Sequence, residues 1–351
     1  MRTCTKCGFP DTRPGSIFVE GVCQACINYE KRSEVDWLGR ATILQELCED
    51  AKENTGSQYD CLIPVSGGKD SYTLVHLMTN LGMKPLLVTV TDSFTHTKAG
   101  SHNLRNMITK FGLNHWQYTI NHDLFIRATR AAFEATGEAL KFVEYAIYTI
   151  PVMLAQALDI PLVVFGENSA YEYGSTDEDD FNANSQILNM VQKIEGERKW
   201  WKSVGVSNAE VNSILPSEDK PMPQVIYMSY FRPWSSTDNL EIARKYGFRD
   251  LGGEWDRKGT IENFEQMDSV AYMVHPWLKY PKFGFQRTTD IATRRVRQGL
   301  LTLPDAQKLI AENDPILDPL AKKDFCDTCG YTDEVFWAIV EKQRKYGEKH
   351  E

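Results

Sequence analysis

Residues 62–73 read LIPVSGGKDSYT, and this stretch decides the fold. Leu62, Ile63 and Val65 make an apolar, partly β-branched lead-in. Beyond the glycines, Leu74, Leu77, Met78 and Leu81 recur at helical spacing, and Gly82 supplies a stop. The reading is strand, tight glycine loop, helix. Such a loop aims backbone N–H groups and a helix N-terminus at one point, which suits an anion. Lys69 adds a mobile positive charge, and Ser66 and Ser71 add hydroxyl donors. A phosphate is the simplest ligand.

The same alternation extends on both sides of this stretch. KPLLVTVTD (84–92) predicts a second strand, a near-continuous buried run ending in Asp92, as parallel sheets covered on both faces require. SHNLRNMITKFG predicts a helix, NHWQYTI a third strand, and HDLFIRATRAAFEATG another helix. VEYAIYTIPVMLAQALD predicts a longer apolar helix with a break or kink at Pro151. IPLVVFGEN predicts a fourth buried strand. The fold class is therefore α/β, a doubly wound parallel sheet. Ligands of such sheets bind outside the carboxyl ends of the strands, so Ser66–Ser71, Thr91–Asp92 and Gly166–Asn168 are expected to meet. Three parts follow: a cysteine-rich segment over 1–30, read below as a zinc ribbon, the α/β domain over 31–170, and a helical, loop-rich extension over 171–351 that covers the site.

The chain has 351 residues, 42% hydrophobic and 25% charged, with a net charge of −9. That acidity argues against a large nucleic-acid footprint. No apolar run is long enough to span a bilayer and MRTCTKCGFP has no signal-peptide core, so a cytoplasmic protein without membrane contact is expected. Eight cysteines in such a chain point to metal binding or burial rather than a disulfide framework. Cys4 and Cys7 form one C-x-x-C and Cys23 and Cys26 a second, with glycines at the turns. Four thiolates at that spacing can close a tetrahedral Zn²⁺ site, and a segment with so small a core needs one. Free thiols and an iron–sulfur cluster are the weaker readings. Cys326 and Cys329 make a third C-x-x-C with no partner pair, read as two buried thiols beside the last helix. Cys48 and Cys61 are read as core residues.

SGGKDS is not a Walker A loop, which needs G-x-x-x-x-G-K-[ST], nor is it G-x-G-x-x-G. Placed between strand and helix, it resembles the PP-loop of the ATP pyrophosphatase superfamily. The resemblance implies ATP cleavage between the α- and β-phosphates and transfer of AMP to a substrate oxygen. Gly67 and Gly68, with Ser66, Lys69 and Ser71, would hold the departing pyrophosphate. Asp70 would orient the loop or hold Mg²⁺. Asp92, Gly166 and Glu167 would line the AMP side.

The whole arrangement, with the N-terminal cysteine pairs, the loop, VVFGEN and HPWLKYPKFGFQRTTDIATRRVRQGLLT (275–302), resembles the N-acetyl sugar amidotransferases of bacterial surface-glycan biosynthesis. That family implies conversion of an acetamido group on a free or nucleotide-linked sugar into an acetamidino group: the amide oxygen is adenylated, then ammonia displaces AMP. Met1-Arg2 offers no N-terminal cysteine nucleophile, and no cysteine sits in a glutaminase context. Ammonia is therefore expected from a separate glutaminase of histidine-biosynthesis type, with or without a cyclase-like partner. Lys282 and Arg287, set among aromatics, are the expected clamps for an acidic or diphosphate sugar. Arg294–Arg297 read as a solvated helix face. The competing reading is a tRNA-thiolating enzyme, which also joins a PP-loop to C-x-x-C pairs but needs a sulfur-carrying cysteine or cluster and, as a rule, a basic surface.

Overall fold

The computed structural model describes residues 1–166 and 182–349. Its framework is a five-stranded sheet in which every neighbouring pair is parallel. In chain order the strands and the helices that cross between them are β1 (Cys61–Pro64), α1 (Lys69–Asn80), β2 (Pro85–Thr91), α2 (Lys98–Phe111), β3 (His115–Thr119), α3 (His122–Thr136), α4 (Lys141–Ala157), β4 (Leu162–Phe165), β5 (Gln224–Tyr227) and α5 (Ser236–Lys245). The spatial order is β3-β2-β1-β4-β5, so the winding reverses between β1 and β4.

Strand alternation explains the two-sided burial. Leu62, Leu86, Val88, Val163 and Val225 face Val152 and Ala155 of α4. Ile63, Leu87, Val164 and Ile226 face Val75 and Met78 of α1, Met107 of α2, and Leu240 and Ala243 of α5. Helices thus cover both faces, as a doubly wound sheet requires. Local sequence sets several helix ends. Thr97 and Asn121 accept hydrogen bonds from Gly100 and Leu124 at the starts of α2 and α3, and Gly112 and Gly137 close them in the left-handed conformation.

Two features depart from the sequence reading. The fifth strand lies at 224–227, beyond residue 170, within a Pro- and aromatic-rich stretch whose strand is too short to stand out. The helix α4 also runs unbroken through Pro151. Proline removes one backbone donor there, but Ile150 and Val152 are fully buried and hold the helix by packing.

Beyond the sheet come α6 (Arg287–Arg297), α7 (Pro319–Cys329) and α8 (Asp333–Gln343). Phe325 of α7 and Phe336 of α8 pack their rings on Phe133 of α3. Cys326 and Cys329 are buried in this cluster, and burial pushes their thiols up to about 11 and about 12. No described helix is long and apolar enough to cross a membrane.

Candidate phosphate site and its C-terminal wall

The loop Ser66–Ser71 leaves the carboxyl end of β1, beside the point where the strand order reverses. It is held by its own short side chains: the Ser66 amide donates to Ser71 Oγ at 3.1 Å, and the Gly68 amide to Ser66 Oγ at 3.3 Å. Gly67 has φ +84°, and a Cβ there would stand 2.7 Å from the backbone nitrogen of Leu104 in α2. Both conformation and space therefore require glycine. Gly68 opens α1 without a side-chain cap, which leaves the helix's first N–H groups to a ligand.

Lys69 is 5% exposed. Its Nζ lies 2.7 Å from Asp70 Oδ2 and 3.0 Å from Glu265 Oε1. Burial works to lower the ammonium's pKa, but the Asp70 and Glu265 carboxylates overcome it and hold Lys69 above the ordinary lysine range. Asp70 also accepts from Asn239 Nδ2 of α5 at 2.7 Å, so both of its oxygens are engaged in orienting the loop.

Glu265 and its surroundings form a wall supplied by the C-terminal region. Glu265 is 8% exposed, with Lys69 on one side and Arg287 and Arg294 of α6 on the other; Arg294 Nη2 is 3.1 Å from Oε1, and the Arg287 guanidinium is also paired with it. Ser236 donates to the same carboxylate. Burial would raise the pKa of Glu265, but Lys69, Arg294 and Arg287 hold it well below the usual range. Glu262 stands beside it, with Arg295 Nη2 at 3.4 Å and Arg287 Nη2 at 4.0 Å. Here burial wins, reinforced by the neighbouring Glu265 charge, and Glu262 is pushed up to about 7. Arg257 donates to the backbone carbonyls of Glu262, Glu265 and Gln266 and so fixes the turn carrying both carboxylates. Among the described residues, Lys69, Arg257, Arg287, Arg294 and Arg295 thus gather around Asp70, Glu262 and Glu265 next to the loop.

Several sequence expectations look different in three dimensions. Arg287 lies at the loop lysine's partner. Lys282 lies over the Phe283 ring, and its Cδ is 3.4 Å from where a Cβ on Gly137 would stand, beside the turn between α3 and α4 rather than among the loop's partners. Arg294 and Arg295 are not a solvated face: their side chains are 14% and 32% exposed and bond the two glutamates. Helix α6 buries Arg287 through Thr293, and Arg294 and Arg295 follow half-buried. Asp92 directly follows β2; its Oδ1 accepts from the Phe94 amide at 2.9 Å, and burial raises its pKa. Gly166 ends β4 and its carbonyl accepts from the Ser229 amide at 3.0 Å; Glu167 and Asn168 lie outside the described residues. Glu262, Glu265, Asn239 and Arg257 were not foreseen. ENFEQ (262–266) has no period and reads as polar surface, and only the fold brings it to Lys69.

The cysteine segment pairs two short strands, Phe18–Val19 and Val22–Cys23, antiparallel. All four thiol sulfurs lie within 4.8 Å of one another, with Cys4–Cys26 at 3.8 Å and Cys7–Cys23 at 3.6 Å. Zinc–sulfur bonds of about 2.3 Å in a tetrahedron put sulfurs ~3.8 Å apart, so the four residues fit the ion. Phe283, Phe285 and Val296 pack against this segment, and Arg297 Nη1 lies 3.6 Å from Cys7 Sγ. The ribbon is docked on the helix that carries Arg287 and Arg294.

Residues 258–351 match the family described as LPS biosynthesis protein WbpG-like, C-terminal domain. The matched stretch includes Glu262, Glu265, Arg287, Arg294 and Arg295. No curated protein matches the chain. Among solved structures, the chain is similar to NMN synthetase from Francisella tularensis, at 10% identity over 90% of this chain and 98% of that one, with a TM-score of 0.33. It is also similar to NH3-dependent NAD synthetase from Campylobacter jejuni, at 14% identity over 61% of this chain and 96% of that one, with a TM-score of 0.32. Likenesses this remote carry no weight on chemistry. The sheet order and the loop contacts stand without them.

Proposed function

We propose that this protein is an ATP-dependent amidotransferase of bacterial surface-glycan biosynthesis. It adenylates the acetamido oxygen of an N-acetylated sugar, and ammonia then displaces AMP to leave an acetamidino sugar. The observation that carries this reading is the pairing of Lys69, on a strand–glycine loop–helix turn, with Glu265 of the region related to lipopolysaccharide biosynthesis. A phosphate-binding loop and a glycan-associated wall meet at one ammonium group.

The chain's residues divide the work. Gly67, Gly68 and Lys69 bind the triphosphate and stabilise the charge that develops on departing pyrophosphate. Asp70, a partly exposed carboxylate within the loop, would help hold Mg²⁺, which would supply Lewis-acid stabilisation of the phosphate charge. Arg287 and Arg294 hold Glu265 against Lys69 and keep the wall in place. An amide is a poor electrophile, so adenylation of its oxygen is what makes the carbon open to ammonia.

A thiolating enzyme needs a sulfur-carrying cysteine near the loop. Among the described residues, four cysteines close on one another in the ribbon and the others are buried in cores, which favours the amidotransferase. Ammonia would come from a separate glutaminase subunit of histidine-biosynthesis type. The test is mass spectrometry of sugar products after incubation with ATP, Mg²⁺ and ammonium chloride at raised pH. The product should differ from the substrate by NH in place of O. With glutamine the purified protein should be inactive until a glutaminase is added, and glutamine-dependent turnover by the protein alone contradicts the partner requirement.

A further inference from the structure

A cavity of about 650 Å³ lies beside the wall, lined among others by Trp255, Arg257, Thr260, Glu262 and Asn263. It shares Arg257 and Glu262 with the buried cluster. A sugar in this cavity would lie against Glu262, next to the cluster that holds Lys69. The two glutamates are not equivalent. Glu265 is committed to Lys69, Arg287 and Arg294. The Glu262 side chain is 2% exposed, its Oε1 accepts no hydrogen bond among the described residues, and Arg287 stands 4.0 Å away. A buried carboxylate oxygen with spare accepting capacity is costly unless something uses it.

We propose that Glu262 is the proton acceptor of the amination step. This rests on the amidotransferase reading above. Ammonia adds to the carbon of the O-adenylylated amide and forms a C–N bond, giving a tetrahedral centre that bears –NH₃⁺. Glu262 takes one proton from that nitrogen. The nitrogen lone pair then forms C=N as the C–O bond breaks, and AMP leaves with the bonding electrons and the former amide oxygen. The proton passes from Glu262 to solvent, so the sum is amide, ATP and ammonia giving amidinium, AMP, pyrophosphate and one proton. Without deprotonation the better leaving group is ammonia itself, and the addition reverses.

The groups facing Glu262 are Glu265 from its own turn, Arg257 beneath it, and Arg287, Arg294 and Arg295 from α6. Together with burial they place its titration near neutrality, where a general base works best.

The experiment compares the unmutated protein with Glu262→Gln and Glu262→Asp. The probes are free and UDP-linked N-acetylated hexosamines. Two readouts are taken: sugar-dependent exchange of labelled pyrophosphate into ATP, which reports adenylation, and amidine formation at fixed free ammonia, which reports amination. Glu262→Gln should retain exchange within a few-fold and lose amination by ~10²-fold or more. The unmutated amination rate should fall as pH drops through about 7, and this limb should vanish in Glu262→Gln and shift in Glu262→Asp. Equal losses in both readouts, or amination unaffected, overturn the role. Exchange that no sugar stimulates in the unmutated protein overturns the amidotransferase reading, and the role with it.

Discussion

The phosphate loop and the wall opposite it are built in contrasting ways. The loop is local: six consecutive residues, closed by Ser66, Ser71 and the φ of Gly67, hold their shape through near neighbours. The wall is long-range. Its two carboxylates come from 262–265 and its cations from 257 and 287–295, joined to the loop across nearly two hundred residues of chain. A local motif places a ligand, and a long-range one decides what stands next to it. Breaking the first should cost chemistry, whereas breaking the second should cost stability as well.

The wall should give the largest effect. Glu265→Ala leaves Lys69, Arg287 and Arg294 buried around a vanished carboxylate and should destabilise the fold by about 3–5 kcal/mol, read from denaturant unfolding. Stability within ~1 kcal/mol of the unmutated protein would mean the cluster is no such centre. By contrast, Lys69→Ala should lose ~10²-fold or more in pyrophosphate release with the fold intact.

The ribbon sharpens the same contrast because it is clamped to α6. The protein should hold about one zinc per chain. Cys23→Ser should lose the metal and lower the melting temperature, and full zinc content in that variant would place the ligands elsewhere.

A smaller effect separates the two glutamates. Glu262 has a raised folded pKa, so its share of stability is fully present below the unfolded value of about 4.3 and is lost as pH rises through about 7. Glu262→Gln, which cannot ionise, should therefore gain in melting temperature relative to the unmutated protein between pH 5.5 and 8.5. A constant difference across that range would contradict a buried, titrating Glu262. Least should change in Cys326→Ala, whose thiol sits in an aromatic core; metal content and turnover should be unaltered.

Legibility in the sequence follows the same division. Strand–SGGKDS–helix, the four cysteines and the alternation to Phe165 could be read because each is contiguous or evenly spaced. The run 224–227 escaped because four residues between prolines and aromatics carry too little period. ENFEQ and RRVR escaped because charged residues without an apolar stripe read as solvated surface. Nothing local shows that Arg294 and Glu265 are partners, and only the packing of α6 beneath the ribbon turns both inward. Pro151 misled for the opposite reason: a local rule predicted a break or kink, and the helix runs on without a break through a buried stretch.

If Lys69 and its loop hold ATP for cleavage between the α- and β-phosphates, beside a wall that presents a sugar amide, turnover must split ATP into AMP and pyrophosphate. ³¹P NMR of ATP with the full-length protein, Mg²⁺, ammonium chloride and N-acetylated sugars tests it most directly. AMP and pyrophosphate are expected, dependent on the sugar and lost in Lys69→Ala. ADP with orthophosphate, or AMP and pyrophosphate undiminished in Lys69→Ala, would contradict it.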